Sequence, residues 1–189
     1  TTPTQPYFKS IIFVTISDMS DQQISSDKAK QDKLFYVVAN IIIINIAQRT
    51  CLILKRSDSE KVLPGKYAFP GGKLEHGDLQ KLLNESGNKP IEGIDNILGK
   101  LAERESEEEC GLKVNGDTAA VIKNKVFVRP DGVPVFMVTL AAAYDGGDVV
   151  LEDDSFSSYA WTTREDFDSY DAIPGIREEA VKAFDQLLD

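Results

Sequence analysis

The residues able to do chemistry in this chain gather between Gly71 and Leu112. The stretch Arg104-Glu105-Ser106-Glu107-Glu108-Glu109-Cys110-Gly111-Leu112 holds a guanidinium, several carboxylates and a helix-ending glycine. A second piece, Gly71-Gly72-Lys73-Leu74-Glu75-His76-Gly77-Asp78, opens on backbone without side chains, which can approach a metal or a phosphate closely. Dense carboxylates with one arginine beside them suit a hard divalent cation that shares its coordination with phosphate oxygens.

A run of glutamates is ordinarily the solvated side of a helix. The phase of this one argues otherwise. Leu98, Leu101, Ala102, Glu105, Glu108, Glu109 and Leu112 stand at i, i+3, i+4, i+7, i+10, i+11 and i+14, one stripe at helical period. The stripe is apolar at both ends and carries three carboxylates between them. Glu103 and Glu107 fall on the other side. The pattern predicts a helix over Asn96 to Cys110, capped by Asp95, with Glu105, Glu108 and Glu109 facing the protein. Such carboxylates raise one another's pKa and need cations. Arg104 supplies one, and Mg²⁺ is the natural supplier of the rest.

The combination resembles the Nudix box, the signature of Nudix hydrolases: Gly, five residues, Glu, seven residues, then Arg-Glu-aliphatic-any-Glu-Glu-any-Gly-aliphatic. Gly72 stands for the first glycine, and Arg104-Glu105, Glu108-Glu109, Gly111 and Leu112 match the second half. The flanks Tyr67-Ala68-Phe69-Pro70-Gly71-Gly72 and Tyr159-Ala160-Trp161-Thr162 are similar too. Asp78 replaces the first Glu and Ser106 the aliphatic residue. The spacer, 79 to 103, is 25 residues long, 18 more than the pattern.

The resemblance implies an α/β fold, a Nudix-type α/β/α sandwich with a mixed sheet flanked by helices. It implies a single domain over residues 1–189, with 1–34 appended and 79–100 as an insertion. It further implies a metal-dependent pyrophosphohydrolase using Mg²⁺ or Mn²⁺. The substrate would be a small nucleoside diphosphate linked to another moiety, such as ADP-ribose or a nucleoside triphosphate. Glu105 and Glu109 would be the main metal ligands, with Glu108 and the Gly71 carbonyl as further ligands. Arg104 would orient the carboxylates. The general base would be a box glutamate, Glu105 or Glu108, or Glu152 from a later loop. The alternative is a nucleotide-binding module of the same fold without activity.

Flanking elements must position these groups. Phe35 to Ile46 is the strongest strand signal, with Cys51 to Leu54 as its hairpin partner across Ala47-Gln48-Arg49-Thr50. Leu63-Pro64-Gly65-Lys66 reads as a turn, Tyr67 to Phe69 as a short strand, and Gly71-Gly72 as a tight turn after it. Ala119 to Val128 and Val133 to Tyr144 form a hairpin across Pro130-Asp131-Gly132, and Ser158 to Thr162 a last strand. Thr163 caps a short helix with Asp166, and Pro174-Gly175 starts a final amphipathic helix. The N-terminal run Phe8 to Ile16 reads as a strand whose edge could pair two copies into a homodimer. Phe127, Tyr67 and Phe35 are candidate base-stacking rings. His76 reads as an exposed polar residue, Trp161 as core, and Lys55, Arg56 and Arg129 as surface charges.

The 189 residues carry 42% hydrophobic side chains and a net charge of −10, which fits one globular domain and disfavours a polynucleotide partner. No apolar run is long enough for a membrane span and no signal peptide is visible, so the expected location is the cytoplasm. Cys51 and Cys110 read as buried thiols in a reducing compartment.

Overall fold

Alternation of β-branched residues with turn signals builds a mixed sheet. The computed structural model describes residues 35–75, 77–78, 95–129 and 131–188. Phe8 to Ile16 with its proposed dimer edge, His76, Pro130 and the insertion residues 79–94 lie outside the described residues.

Strands β1 (Tyr36–Asn45) and β2 (Thr50–Arg56) form the expected hairpin. β3 (Tyr67–Ala68) pairs with β2. Gly71-Gly72 is not a turn: it begins strand β4 (Gly71–Lys73), antiparallel to β1 with Ala39 opposite Gly72. The absence of side chains permits that pairing, since a Cβ on Gly71 would lie 2.1 Å from the Ala39 carbonyl oxygen. Helix α1 (Ile97–Cys110) follows, then β5 (Lys113–Val114), a 3₁₀ turn (Gly116–Thr118), β6 (Ala120–Val128), β7 (Pro134–Gly146) and β8 (Phe156–Thr162). A second 3₁₀ turn (Asp166–Ser169) precedes helix α2 (Ile176–Leu188). The strand order is β3-β2-β1-β7-β5, with β4 beside β1, β6 beside β7 and β8 beside β2. β1 and β7 run parallel at the centre, where Ile41 to Ile44 are fully buried.

Alternate residues of β1 feed two cores. Ala39, Ile41 and Ile43 pack with Leu101, Ala102 and Cys110 of α1. Ile42 and Ile44 pack with Ala180, Ala183 and Phe184 of α2 on the opposite face. The result is the expected three-layer α/β/α sandwich. Trp161 joins the α1-side core, edge-on to Tyr144 with centroids 5.6 Å apart. Thr163 Oγ1 accepts from the Asp166 backbone N–H at 3.1 Å as expected, but the short helix it leads into is a 3₁₀ turn that begins at Asp166, with Glu165 as its N-cap, rather than at Arg164. Among the described residues no helix is long and apolar enough to cross a membrane.

The start of α1 differs by one residue from the expected cap. Asn96, not Asp95, is the N-cap, in a left-handed conformation (φ 53°), and its Oδ1 accepts from the Gly99 N–H at 3.3 Å. Its Nδ2 donates to the Gly116 carbonyl and to Asp117. An amide serves both roles, whereas a carboxylate only accepts. Gly99 and Gly116 meet backbone to backbone: a Cβ on Gly99 would lie 2.3 Å from the Gly116 carbonyl oxygen. Glu103, placed by phase away from the core, accepts from the Gly116 N–H at 3.0 Å.

Gly99→Ala should therefore cost about 1–3 kcal/mol, read as a lower urea midpoint, although alanine is the better helix former. Equal stability would mean the helix start can back away from the 3₁₀ turn. Burial pushes the Cys51 thiol up to about 12. A pKa raised in the folded state favours folding at lower pH, and that contribution fades as pH climbs from the ordinary thiol value toward 12. Native protein should resist iodoacetamide near pH 8 and be alkylated only on unfolding, as intact mass would show. Fast labelling of native Cys51 would contradict the burial.

Candidate active site

The outer edge of β4 meets the middle of α1. Residues four apart on a helix share a face, so Glu105 and Glu109 project together toward that edge. The Gly71 N–H donates to Glu109 Oε2 at 2.7 Å. A Cβ on Gly72 would lie 2.2 Å from Glu105 Oε1, so the Glu105 carboxylate occupies the space a side chain there would fill. Glu105 is 6% exposed.

Arg104 ties this edge together. Its Nη2 donates to the Lys73 carbonyl at 2.8 Å and to Glu105 Oε1 at 2.7 Å, and its Nη1 donates to Glu108 Oε2 at 2.6 Å. Its Nε pairs with Asp78 Oδ1 at 2.7 Å. Asp78 also accepts from the Glu75 N–H. The lengthened spacer therefore leaves Asp78 within the cluster, through a contact to Arg104 that linear spacing does not show.

The three inward carboxylates of the stripe become two. Glu108 lies on the solvent flank, with its side chain 55% exposed, and is held there by Arg104. The buried face of α1 is rotated toward Ser106 and Cys110, both fully buried. Ser106, at the aliphatic position, packs inward, and its hydroxyl has no hydrogen-bond partner among the described residues.

The helix end positions the later loop. Gly111 is left-handed (φ 71°), and the Gly111 and Leu112 N–H groups close onto the Glu107 and Ser106 carbonyls. The loop after β7 then docks on the helix terminus: Val150 N–H donates to the Cys110 carbonyl and Glu152 N–H to the Glu109 carbonyl, each at 3.0 Å. A Cβ on Gly147 would be 2.6 Å from the Gly111 carbonyl oxygen, so this approach also relies on glycine. The backbone of Glu152 thus reaches the end of the cluster, while the side chains of Glu152, Asp153 and Asp154 are all exposed.

Electrostatics follow from this crowding. Burial is the main cause that pushes Glu109 up to about 8. The Gly71 hydrogen bond opposes it, Glu105 and Glu152 add to it, and Arg56 opposes it. Burial likewise raises Glu105, against the pull of Arg104. Sequence alone makes Arg56 a surface charge; its influence on Glu109 comes from the end of β2, with its Nε donating to the Val62 carbonyl. Only strand pairing brings it there. Arg129 pairs with Asp131 in the hairpin turn.

Glu105 and Glu109 fit a divalent cation by donor chemistry, being hard oxygen ligands desolvated beside a backbone edge that leaves them room. Among the described residues no three His, Cys, Asp or Glu side chains form a ready cage. Mg²⁺ is commonly held by one or two carboxylates, with waters and phosphate oxygens completing its shell. Gly71 makes its contact to Glu109 through its N–H.

No protein-family model and no curated protein sequence matches the chain. Solved structures do. The MutT protein from Methanosarcina mazei Go1 is similar with a TM-score of 0.57 and 20% identity, over 83% of this chain and 97% of the other. A Nudix-family hydrolase from Clostridium perfringens gives a TM-score of 0.55 and 14% identity, over 82% and 99%. A C. elegans Ap4A hydrolase gives 0.53 and 17%, over 80% and 97%. This chain has the Nudix fold.

The buried Ser106 hydroxyl yields a stability prediction. Ser106→Ala removes an unpartnered polar group and improves helix propensity, so the thermal midpoint should rise, by about 1 kcal/mol in stability. A fall would reveal a partner for the hydroxyl.

Proposed function

We propose that the chain is a Nudix pyrophosphohydrolase that cleaves the diphosphate linkage of a small nucleoside diphosphate derivative. One observation carries this reading: two desolvated carboxylates, Glu105 and Glu109, are pressed against side-chainless backbone at a strand edge, with too little positive charge to neutralise them. Such a cluster is costly unless a cation joins it.

Glu105 and Glu109 would hold Mg²⁺ or Mn²⁺, with Glu108 and the Gly71 carbonyl as further ligands. The bound metal supplies the positive charge that phosphate oxygens need at an otherwise acidic surface. Arg104 keeps Glu105 ionised and aimed by charge-assisted hydrogen bonds. Arg56, at the other end of the cluster, can meet a phosphate oxygen. Glu152 takes the proton of the attacking water from the loop docked on the helix end. The structural neighbours named as MutT proteins and as an Ap4A hydrolase support this substrate class. Two buried free thiols accord with a reducing, cytoplasmic setting.

Purified protein with Mg²⁺ should release phosphate products from at least one of ADP-ribose, a nucleoside triphosphate or a dinucleoside polyphosphate. Glu109→Gln should lower kcat by about 10²–10³-fold, the scale of one lost electrostatic contact in a water-excluded site. Unchanged turnover would remove Glu109 from the metal site. A chain inert toward every diphosphate compound would be a binding module.

A further inference from the structure

On the α2 side of the sheet, cross-strand register lines up residues that the hydrolytic cluster does not use. Lys73 of β4 stands opposite Val38 of β1, Val38 opposite Met137 of β7, and Met137 opposite Lys125 of β6. The next row along is Tyr36, Val135 and Phe127. Lys73 Nζ lies 6.0 Å from the Tyr36 ring centroid, and Lys125 Nζ lies 5.7 Å from that of Phe127. Tyr36 is 45% exposed and Val38 and Met137 are only partly buried, while Val135 between the two rings is buried. The rows form an apolar floor between an ammonium at each end, with two rings along one side.

Helix α2 bounds this floor. In the preceding row Lys123 Nζ and Thr139 Oγ1 both donate to Glu179 of α2, at 2.9 Å each. Lys123 is therefore committed to the fold. Lys125, one row further out and half-buried, hydrogen-bonds none of the described residues. The groups that face it are Lys123, Glu179 and the Phe127 ring. Burial lowers its pKa, with Glu179 opposing and Lys123 adding. At the other end, Lys73 belongs to the strand whose outer edge carries the carboxylate cluster: its carbonyl accepts from Arg104, and Gly71 two residues earlier donates to Glu109. The floor and the cluster are therefore joined around β4. Phe127, one of three rings eligible from sequence, is the one the floor includes; Tyr67 is spent edge-on against Tyr170.

We infer that this floor seats the nucleobase of the substrate, and that Lys125 selects bases presenting a carbonyl oxygen (guanine, uracil) over those presenting an amino group (adenine, cytosine). This rests on the hydrolase reading for its ligand class. The order of the row dictates the roles. Lys73, beside the cluster, meets phosphate. Lys125, about three strand spacings or ~14 Å away, meets the far edge of the base. An ammonium has three donors and no acceptor. Guanine offers O6 and N7 and uracil O4 as acceptors, while adenine and cytosine turn an amino group toward the same place. Rings on one side supply stacking that every base can use, so the stack sets affinity and Lys125 sets choice.

The test is calorimetric binding of GMP, UMP, AMP and CMP to the full chain with Mg²⁺, which needs no turnover. GMP and UMP should bind about tenfold more tightly than AMP and CMP. Lys125→Met should erase that tenfold advantage and leave AMP and CMP unchanged, Lys125→Arg should keep it, and Lys73→Met should weaken all four alike. Equal affinity of the unaltered protein for the four nucleotides, or no binding of any, overturns the inference without any variant. So does a uniform loss in Lys125→Met. A carbonyl-base preference in a protein that hydrolyses no diphosphate would leave this inference standing and sink the hydrolase reading. Hydrolysis without base preference would do the reverse.

Discussion

The structure depends on two carboxylates, Glu105 buried and Glu109 partly so, held against a strand edge that has no side chains. Glu105 and Glu109 reach β4 only because Gly71 and Gly72 leave space there. Any Cβ would strike either the neighbouring strand or the Glu105 carboxylate. The same closeness takes the carboxylates out of water beside one another, and burial is the main reason that Glu109 is pushed up to about 8. Helix position, glycine placement and charge are thus one constraint.

The rest of the fold serves to hold α1 at that edge. At its start, the helix is clamped by Asn96 and by glycine contact with the 3₁₀ turn before β6. At its end, a left-handed glycine stops it, and the loop after β7 bonds to its last carbonyls. Arg104 binds the middle to the Lys73 carbonyl. These anchors all lie outside residues 79–94, so the long spacer can be accommodated while the carboxylates keep their place. The opposite face of the same sheet takes α2, whose buried Glu179 occupies Lys123 one row before the floor that Lys125 borders.

Much of this could be read directly from the chain. The β1–β2 hairpin, the β6–β7 hairpin, the last helix and the Thr163–Asp166 contact follow from periodicity and turn residues, because those are local rules. The helix over the glutamates was legible for the same reason. Periodicity alone makes its inward face too broad: a stripe drawn through Leu98, Leu101 and Leu112 includes Glu108, but the fully buried Ser106 and Cys110 turn the face away from it. Gly71-Gly72 read as a turn because two glycines are the strongest local punctuation, yet their role is pairing and close approach.

The sequence by itself determined which groups are available: the arginine and glutamates at helical spacing, the paired glycines, and the strands and helices that carry them. Those depend on neighbours a few residues apart. Only the tertiary structure decided which carboxylates are desolvated, that Asp78 joins Arg104 across the spacer, that Arg56 bears on Glu109, and that Lys73 and Lys125 flank one floor. Each of these joins residues far apart in sequence through strand register or helix rotation, and a shift of one residue in register would turn the side chain to the other face.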